Sequence, residues 1–462
     1  MYPKNPQREQ APVGSDTIEI EDLNHQGKGV GRLSVGGQAV DGQSSDKQSK
    51  GKACFVEGAL PGETVRWRRT QTKRSFDEGE LIEVLQASPD RATPKCQYVH
   101  ECGGCELQHL DSQAQWRVKE DQLKSTFARE DIEPESWAPA LAGNPWEYRR
   151  RTRLAVAFAG KQAFLGYRQR SSHKVVPIES CVVLEPALNK LIQPLRELLS
   201  QTATSGLKQA KLDQIELVAG DNQVAVCLSV KQMPNENTLE AVQDFCAEQS
   251  AQLWIKEGRA KPVSQNNAGE QYEPLNTALL DGLSMQFTPA QFVQTNAEMN
   301  RKMIEQAMEW LDVQPEHHAL DLFCGAGNFS LPIAKRAKSM LGVEGLSDLI
   351  AQADMNAARE GLTNTEFKVA DLSKEGALLG KSFSQGTFDR VLLDPPRTGA
   401  KELIPALLKM AAPKLVYISC HPATLVRDSK TLIEGGYKLS KAGVIDMFPQ
   451  TTHLESMALF ER

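Results

Sequence analysis

Apolar and polar positions follow two different rhythms along this chain. From Thr17 to about Arg91 they alternate with period two, as in Thr17-Ile-Glu-Ile-Glu21, Ala53-Cys-Phe-Val-Glu57 and Glu80-Leu-Ile-Glu-Val-Leu85. Such alternation buries one face of each strand. Gly27, Gly29, Gly31, Gly58 and Gly62 punctuate the run, and Leu60-Pro-Gly-Glu63 reads as a type II turn. Short strands at this spacing predict a small barrel over 17–91. Residues 1–16, polar with three prolines, read as a disordered tail, and the polar insertion 42–50 as a flexible loop. Gln113 to Glu130 has the pattern of a polar helix, Trp137 to Trp146 that of a loop. Residues 186–285 alternate helix and strand, with strands at Ile215–Val218 and Val224–Leu228 and a surface loop at Asn266–Glu273.

The rhythm changes after that. A helix over Ala297–Trp310 leads into apolar runs near 319–323, 339–343, 366–369, 388–393 and 414–419, with helical stretches between them. This βαβα pattern predicts a doubly wound, mostly parallel α/β sheet of Rossmann-like type, with ligands at the carboxyl ends of its strands. The expected division is therefore tail 1–16, barrel 17–91, a central α+β region 92–290 and the α/β domain 291–462.

Composition changes this picture little, and charge more. The 462 residues are 40% hydrophobic without an apolar run near ~18 residues, so no transmembrane helix is expected. The start of the chain lacks the apolar core of a signal peptide, which points to the cytoplasm and makes the nine cysteines thiols, ligands or catalysts rather than disulfides. A net charge of −6 does not advertise a nucleic-acid binder, but cations are concentrated locally. Val65-Arg-Trp-Arg-Arg69, with Lys73 and Arg74, combines cations for phosphates with an indole for stacking. Tyr148-Arg-Arg-Arg-Thr-Arg153 and Tyr167-Arg-Gln-Arg170, with His173 and Lys174, predict an RNA-facing sheet.

The chemistry gathers at the strand ends. Asp321-Leu-Phe-Cys-Gly-Ala-Gly-Asn-Phe-Ser330 is a strand, a glycine-rich turn and the start of a helix over 331–337, which together cradle a polar ligand. A dinucleotide fingerprint would want glycine where Ser330 stands, which disfavours pyrophosphate. Glu344 ends the second strand, where a carboxylate can accept from both ribose hydroxyls. Asp371 ends the third and can accept from an adenine amino group. Asp394-Pro-Pro-Arg397 ends the fourth, and Ser419-Cys-His-Pro422 the fifth. Cys420 is the nucleophile candidate, with Cys324 as its rival in the ligand turn. Glu455 enters the last apolar strand, and burial would raise its pKa into the range of a general base. Cys96-x5-Cys102-Gly-Gly-Cys105 and the distant Cys181 imply a metal site. Three thiolates plus one suit an iron–sulfur cubane better than zinc, with zinc and unbound thiols as alternatives.

Taken together, Asp321–Asn328, Leu393–Thr398, Ile418–His421, His453–Glu455 and Phe292-Val-Gln-Thr-Asn296 closely resemble the RNA m5U methyltransferases over residues 17–462. The Gly-rich start and Val56–Glu63 resemble a TRAM domain, an OB-like RNA-binding barrel. The resemblance implies S-adenosylmethionine as cofactor, contacted by Gln294, Phe323, Asn328, Glu344, Asp371 and Asp394. It implies Cys420 as nucleophile toward uracil C6, Glu455 as the base for the C5 proton, and a [4Fe-4S] cluster on Cys96, Cys102, Cys105 and Cys181. A TRAM domain together with a cluster points to the members that modify 23S rRNA, acting as monomers on a flipped-out base. Methylation of tRNA or another rRNA uridine is the alternative within the family. A cluster-containing RNA-binding sensor is the alternative from another class.

Overall fold

The computed structural model describes residues 15–33, 51–160, 162–201, 205–265, 272–374 and 388–462. The expected tail up to residue 14, the insertion 42–50 and residues 266–271 of the expected surface loop lie outside these. The period-two segment forms β1 (Ser15–Leu23), β2 (Lys28–Arg32), β3 (Ala53–Glu57), β4 (Thr64–Thr72) and β5 (Phe76–Gln86), which close into a barrel in the order β1-β2-β3-β5-β4. β1 takes in Ser15 and Asp16, which the sequence pattern assigned to the tail. Alternate residues Ile18, Ile20, Cys54, Val56, Val65 and Trp67 fill the interior. Trp67 is wholly buried, which corrects the expectation of a base-stacking indole: its position on β4 is in phase with Val65 and points inward. Arg66 and Arg68, on the outer face, pair across the ladder with Glu83 and Glu80 at 2.8 Å each. The turn at Leu60–Glu63 has Gly62 at φ +80°. Glu63 is buried beneath it. Burial pushes its carboxyl up, but hydrogen bonds from Arg91 and from the Leu60 and Ser88 amides outweigh that and hold it below the ordinary value.

The chain divides into two units. The first holds the described residues of Met1–Val99 with Cys105–Val118 and Gln450–Thr452, and the second holds His100–Gly104, Lys119–Pro449 and His453–Arg462. Helix α1 (Ser112–Ala128) contains the boundary.

In the second unit the stretch expected as loop begins with an edge strand, β6 (Ser136–Trp137). A central sheet follows, built from β7 (Arg151–Ala159), β8 (Gln162–Arg168), β9 (Val175–Pro177), β10 (Gln214–Ala219), β11 (Val224–Val230), β12 (Ala251–Glu257) and β13 (Val263–Ser264), in the order β13-β12-β11-β10-β7-β8-β9. Among the described residues four helices fall between its strands, α2 (Pro186–Asn189), α3 (Ile192–Ser200), α4 (Gly206–Gln209) and α5 (Glu236–Glu248); α2, α3 and α5 pack on the sheet. The hairpin β14 (Leu275–Ala278) and β15 (Ser284–Phe287) then leads to α6 (Ala297–Leu311), whose N-cap Asn296 accepts from the Met299 amide at 3.1 Å.

The α/β part comprises β16 (His318–Leu322), α7 (Ser330–Ala334), β17 (Ser339–Glu344), α8 (Ser347–Arg359), β18 (Thr365–Val369), β19 (Arg390–Leu393), α9 (Ile404–Met410), β20 (Lys414–Ser419), α10 (Pro422–Glu434), β21 (Lys438–Ile445) and β22 (Glu455–Glu461). Its sheet runs β18-β17-β16-β19-β20-β22-β21-β6, parallel through β20, with β22 antiparallel to both of its neighbours. β19 is buried along its whole length and β20 from Leu415 to Ser419, as expected of strands covered on both faces. Chain order reverses between β16 and β19, the place where such sheets open a ligand crevice. One apolar core joins the two sheets: Val218 and Ala225 of the central sheet belong to the same cluster as Met303, Leu392 and Met457. No helix among the described residues is long and apolar enough to cross a membrane.

Candidate active site

The turn after β16 takes its shape from unusual backbone angles. Phe323 (φ +64°), Gly325 (φ +56°) and Gly327 (φ +104°) all lie in the left-handed region. A side chain at Gly327 would also meet Leu331 Cγ at 3.3 Å, so both backbone angle and space call for glycine there. The amides of Phe323 and Cys324 donate to the Val343 carbonyl at 2.9 and 3.1 Å and bind the turn to β17. Glu344 ends β17 and closes the cradle: its Oε2 accepts from the Gly325 amide at 3.3 Å, and its Oε1 from the Gly345 amide at 2.7 Å. Asn328 exchanges two amide hydrogen bonds with Asn300 of α6, at 2.8 and 3.0 Å.

Beneath the turn Asp321 is fully buried. Its Oδ2 accepts from Ser330 Oγ at 2.5 Å, while Oδ1 has no hydrogen-bond donor among the described residues. Burial, reinforced by Asp394 and Glu344, pushes its pKa up to about 7. Asp394, at the end of β19, is likewise raised by burial to about 7. Asp371 differs from both: it is exposed after β18, accepts from Ser373 Oγ at 2.6 Å and pairs with Lys374 at 3.1 Å. The Ser373 hydrogen bond, before any other cause, lowers its pKa.

Strand register decides the other half of the site. β20 and β22 pair antiparallel with Ile418 opposite Met457 and Ser419 opposite Ser456, and Ser456 Oγ donates to the Ser419 carbonyl at 3.1 Å. The next pair in that register is Cys420 and Glu455. Glu455 is 6% exposed, and burial, then Asp394, lift its pKa to about 8 against the opposing charge of Arg397. Cys420 is half-buried. Burial, then Glu455 and Asp394, raise its thiol, and Arg397 again opposes. Cys324 is buried and shifted further still. His453 has its pKa lowered by burial and by Arg397, and its ring stands edge-on to Phe448, with ring centres 5.7 Å apart.

The arginine-rich strand behaves differently from what its composition predicts. Arg150 is buried, donates to Thr277 Oγ1 at 2.7 Å and pairs with Asp221 and Glu185. Arg151 pairs with Glu216 at 2.7 Å and donates to the carbonyls of Gln291 and Pro289. Arg151 therefore holds the segment that carries the exposed Phe292 and the half-buried Gln294, and the side chains of both arginines are engaged within the protein. Of the same strand Arg153 is exposed, as are Arg168, His173 and Lys174 beyond it. A run of arginines reports charge but not burial: Arg151 and Arg153 share one face of β7 and both meet Glu216, yet Arg151 is half-buried and Arg153 exposed.

A family model described as tRNA (Uracil-5-)-methyltransferase matches residues 111–462, and a TRAM domain model matches residues 16–82. This chain belongs to the tRNA (uracil-5-)-methyltransferase family. Two relatives in the family, from Mannheimia succiniciproducens and Alcanivorax borkumensis, carry the name 23S rRNA (uracil(1939)-C(5))-methyltransferase RlmD. The first is 40% identical over 96% of this chain and 95% of its own length, the second 38% identical over 98% of each. A solved tRNA (uracil-54, C5)-methyltransferase from Pyrococcus abyssi, in complex with S-adenosyl-L-homocysteine, shares the fold with a TM-score of 0.69. It is 23% identical and covers 96% of this chain and all of its own.

The four cysteines expected to bind a metal are all half-buried, whereas Cys54, Cys227 and Cys246 are buried, with thiols raised by burial to between about 11 and about 12. Cys102 makes a bridge to Gln169 beyond β8, and the Gly104 amide lies 3.4 Å from its sulfur. Cys181 lies within electrostatic reach of Tyr167, whose hydroxyl shares a 2.8 Å hydrogen bond with Thr152. Cys96 and Cys105 belong to the first unit, Cys102 and Cys181 to the second. Among the described residues no group of three or more His, Cys, Asp or Glu side chains could hold a metal ion.

Some residues that shape the site carried a weak sequence signal. Asn300 and Asp428 sit in the buried stripes of α6 and α10, among Met299 and Met303 and among Leu425, Val426 and Leu432. A polar residue on an apolar helix face must find a buried partner, and that was the legible sign.

Proposed function

We propose that this chain methylates C5 of a uridine in 23S rRNA, using S-adenosylmethionine and a transient bond between Cys420 Sγ and C6 of the base. The observation that carries the proposal is that Cys420, directly after β20, and Glu455, which opens the neighbouring β22, lie within electrostatic reach of each other and of Asp394 and Arg397 at the ligand edge of the sheet. The donor cradle fits the cofactor. The turn at Phe323–Gly327 leaves open space beyond Gly325, and Asp321 Oδ1 lies beneath it without a donor among the described residues. Gln294, Phe323, Asn328, Glu344, Asp371 and Asp394 would hold S-adenosylmethionine, whose sulfonium supplies an electrophilic methyl group.

Uracil C5 is too weak a nucleophile to be methylated directly. Addition of the Cys420 thiolate to C6 makes the ring an enolate with electron density on C5, which then accepts the methyl group. Glu455 as carboxylate removes the C5 proton, the C6–S bond breaks and the thiolate is released. Burial raises both groups, so each is mostly protonated at neutral pH, and Arg397 is the cation that favours their ionised forms. A base stacked in folded RNA must flip out to reach this edge.

The choice of 23S rRNA rests on the two relatives' names and on the N-terminal barrel of TRAM type. A cytoplasmic monomer without membrane contact remains the sequence-based reading. The three-plus-one spacing of Cys96, Cys102, Cys105 and Cys181 supports a structural [4Fe-4S] cluster, through which no catalytic step runs; protein purified without oxygen should hold about four irons per chain, and one zinc per chain would contradict this. Incubation with labelled S-adenosylmethionine and either 23S rRNA or tRNA, followed by mapping, tests the substrate. 5-Methyluridine in 23S rRNA is expected, and product in tRNA alone would overturn the assignment.

A further inference from the structure

The loop that ends β19, Asp394 to Ala400, carries both a carboxylate and the one cation named so far beside Cys420. Three of its backbone groups are held by side chains of α10. Thr424 Oγ1 donates to the Arg397 carbonyl at 3.3 Å, and Arg427 Nη2 to the Thr398 carbonyl at 2.9 Å. Asp428 Oδ2 accepts from the Ala400 amide at 2.8 Å. Gly399 (φ +79°) sits against this station so closely that a Cβ there would stand 2.5 Å from Arg427 Nη2 and 2.6 Å from Asp428 Oδ2. The loop thus has one place to rest.

Asp428 is the centre of the arrangement. It is 1% exposed, yet both of its oxygens are engaged. Oδ2 also accepts from Tyr417 Oη at 2.7 Å, and Oδ1 takes Arg427 Nε at 2.8 Å and Nη2 at 2.7 Å. Tyr417 lies on β20, three residues before Cys420, so this one carboxylate ties the strand of the nucleophile to the loop of Arg397. Nothing in the reaction requires a buried carboxylate at this point. A charged group kept inside the apolar core of β20, α9 and α10 needs a compensating purpose or a compensating partner.

We propose that Asp428, through Tyr417, Arg427 and the Ala400 amide, is a positioning residue that keeps Arg397 beside Cys420 and Glu455. The proposal rests on the reading of Cys420 as nucleophile. The charged and titratable groups facing Cys420 are Glu455 from β22 and Asp394 and Arg397 from the loop. Two are anions that disfavour the thiolate; the tethers to α10 hold Arg397, Thr398 and Ala400, whereas the Asp394 amide is held by the Leu322 carbonyl at 3.3 Å, so loss of the tethers would displace Arg397 and leave the anions in place.

The test is the pH dependence of Cys420 alkylation by iodoacetamide, followed on the Cys420 peptide by mass spectrometry. It is run on the full chain alongside kcat and S-adenosylmethionine affinity. Arg397→Ala defines the full upward shift of the midpoint. Asp428→Asn, and Tyr417→Phe as the gentler variant, should shift it part of the way and lower kcat about tenfold, with cofactor affinity changed less than about twofold. In the Arg397→Ala background Asp428→Asn should add nothing to the shift, because the two act through one cation. A midpoint that Asp428→Asn and Tyr417→Phe both leave unmoved would overturn the proposal, as would full additivity in the double variant. If Arg397→Ala itself fails to move the midpoint, this inference falls while the nucleophile reading stands. Retained activity in Cys420→Ala would instead remove the reading beneath it.

Discussion

Two regions of this molecule are crowded with charge, and they resolve it in opposite ways. At the start of β7 the cations are met: Arg150, just before it, by Asp221 and Glu185, and Arg151 by Glu216. Burial pushes Glu216 up, but its bonds to Arg151 and Arg153 outweigh that and hold it below the ordinary carboxylate value. At the carboxyl edge of the α/β sheet Asp321 and Glu455 are buried and Asp394 half-buried, with only Arg397 opposing the shift of Glu455, and all three are raised, to about 7, 8 and 7. Paired charge builds a scaffold. Charge that is desolvated and left unpaired is retained at a cost in stability, and groups of this kind are where chemistry is found.

Removing a scaffold cation should show the contrast most strongly. Arg150→Met leaves Asp221 and Glu185 without their partner and Thr277 without its donor, and should cost about 3 kcal/mol in denaturant unfolding. An RNA-contact role alone would leave stability unchanged. The edge carboxylates should give the next effect, through pH. Each has a folded pKa above its ordinary value, so the folded state holds its proton longer than the unfolded chain. The stability they contribute is fully present below about pH 4, and it is lost as pH rises through 7 to 8. The unfolding free energy should therefore fall from about pH 4 to about pH 8, by up to about 1.4 kcal/mol per pH unit for each group, and level off above that. Glu455→Gln should flatten the upper end of that fall, and an unchanged profile would show that Glu455 is not buried as described.

The smallest effect separates the two kinds of arginine. Arg153→Ala with Arg168→Ala should reduce the salt dependence of RNA binding by about one unit of slope per lost phosphate contact. Equal loss of slope on neutralising Arg151 would mean that the half-buried arginine also meets RNA.

The sequence made the edge more legible than the scaffold. Short apolar runs ending in Glu344, Asp394 and Cys420 were readable because a parallel strand buried on both faces has no polar alternation to confuse it, and the chemistry begins where the apolar run stops. The strand β21 and the edge strand β6 were not legible. β6 has two residues and exists because the segment hydrogen-bonds along β21, with the Ala138 amide to Ala442 and the Leu141 amide to Val444 at 2.8 Å each. The arginines misled because composition cannot tell which side of a strand a residue takes or whether a distant Glu216 will meet it. Trp67 misled for the same reason, since its alternation with Arg66 and Arg68 placed it in the barrel interior. Asp371 kept its predicted position at the end of β18, but its carboxylate is engaged by Ser373 and Lys374, which sequence spacing alone does not reveal.

The central claim is that Cys420 and Glu455 divide one reaction between them, and trapping of the protein–RNA adduct tests it most directly. Purified Cys420→Ala and Glu455→Gln are incubated with S-adenosylmethionine and 23S rRNA and run on denaturing gels. Glutamine keeps the shape of Glu455 but cannot take the C5 proton, and losing a general base typically costs ~10²–10⁴ in rate. The methylated adduct should therefore accumulate in Glu455→Gln and be absent from Cys420→Ala. Adduct in both variants would exclude Cys420 as the nucleophile and turn attention to Cys324. Adduct in neither, with cofactor binding intact, would contradict the account of Glu455 as the late base.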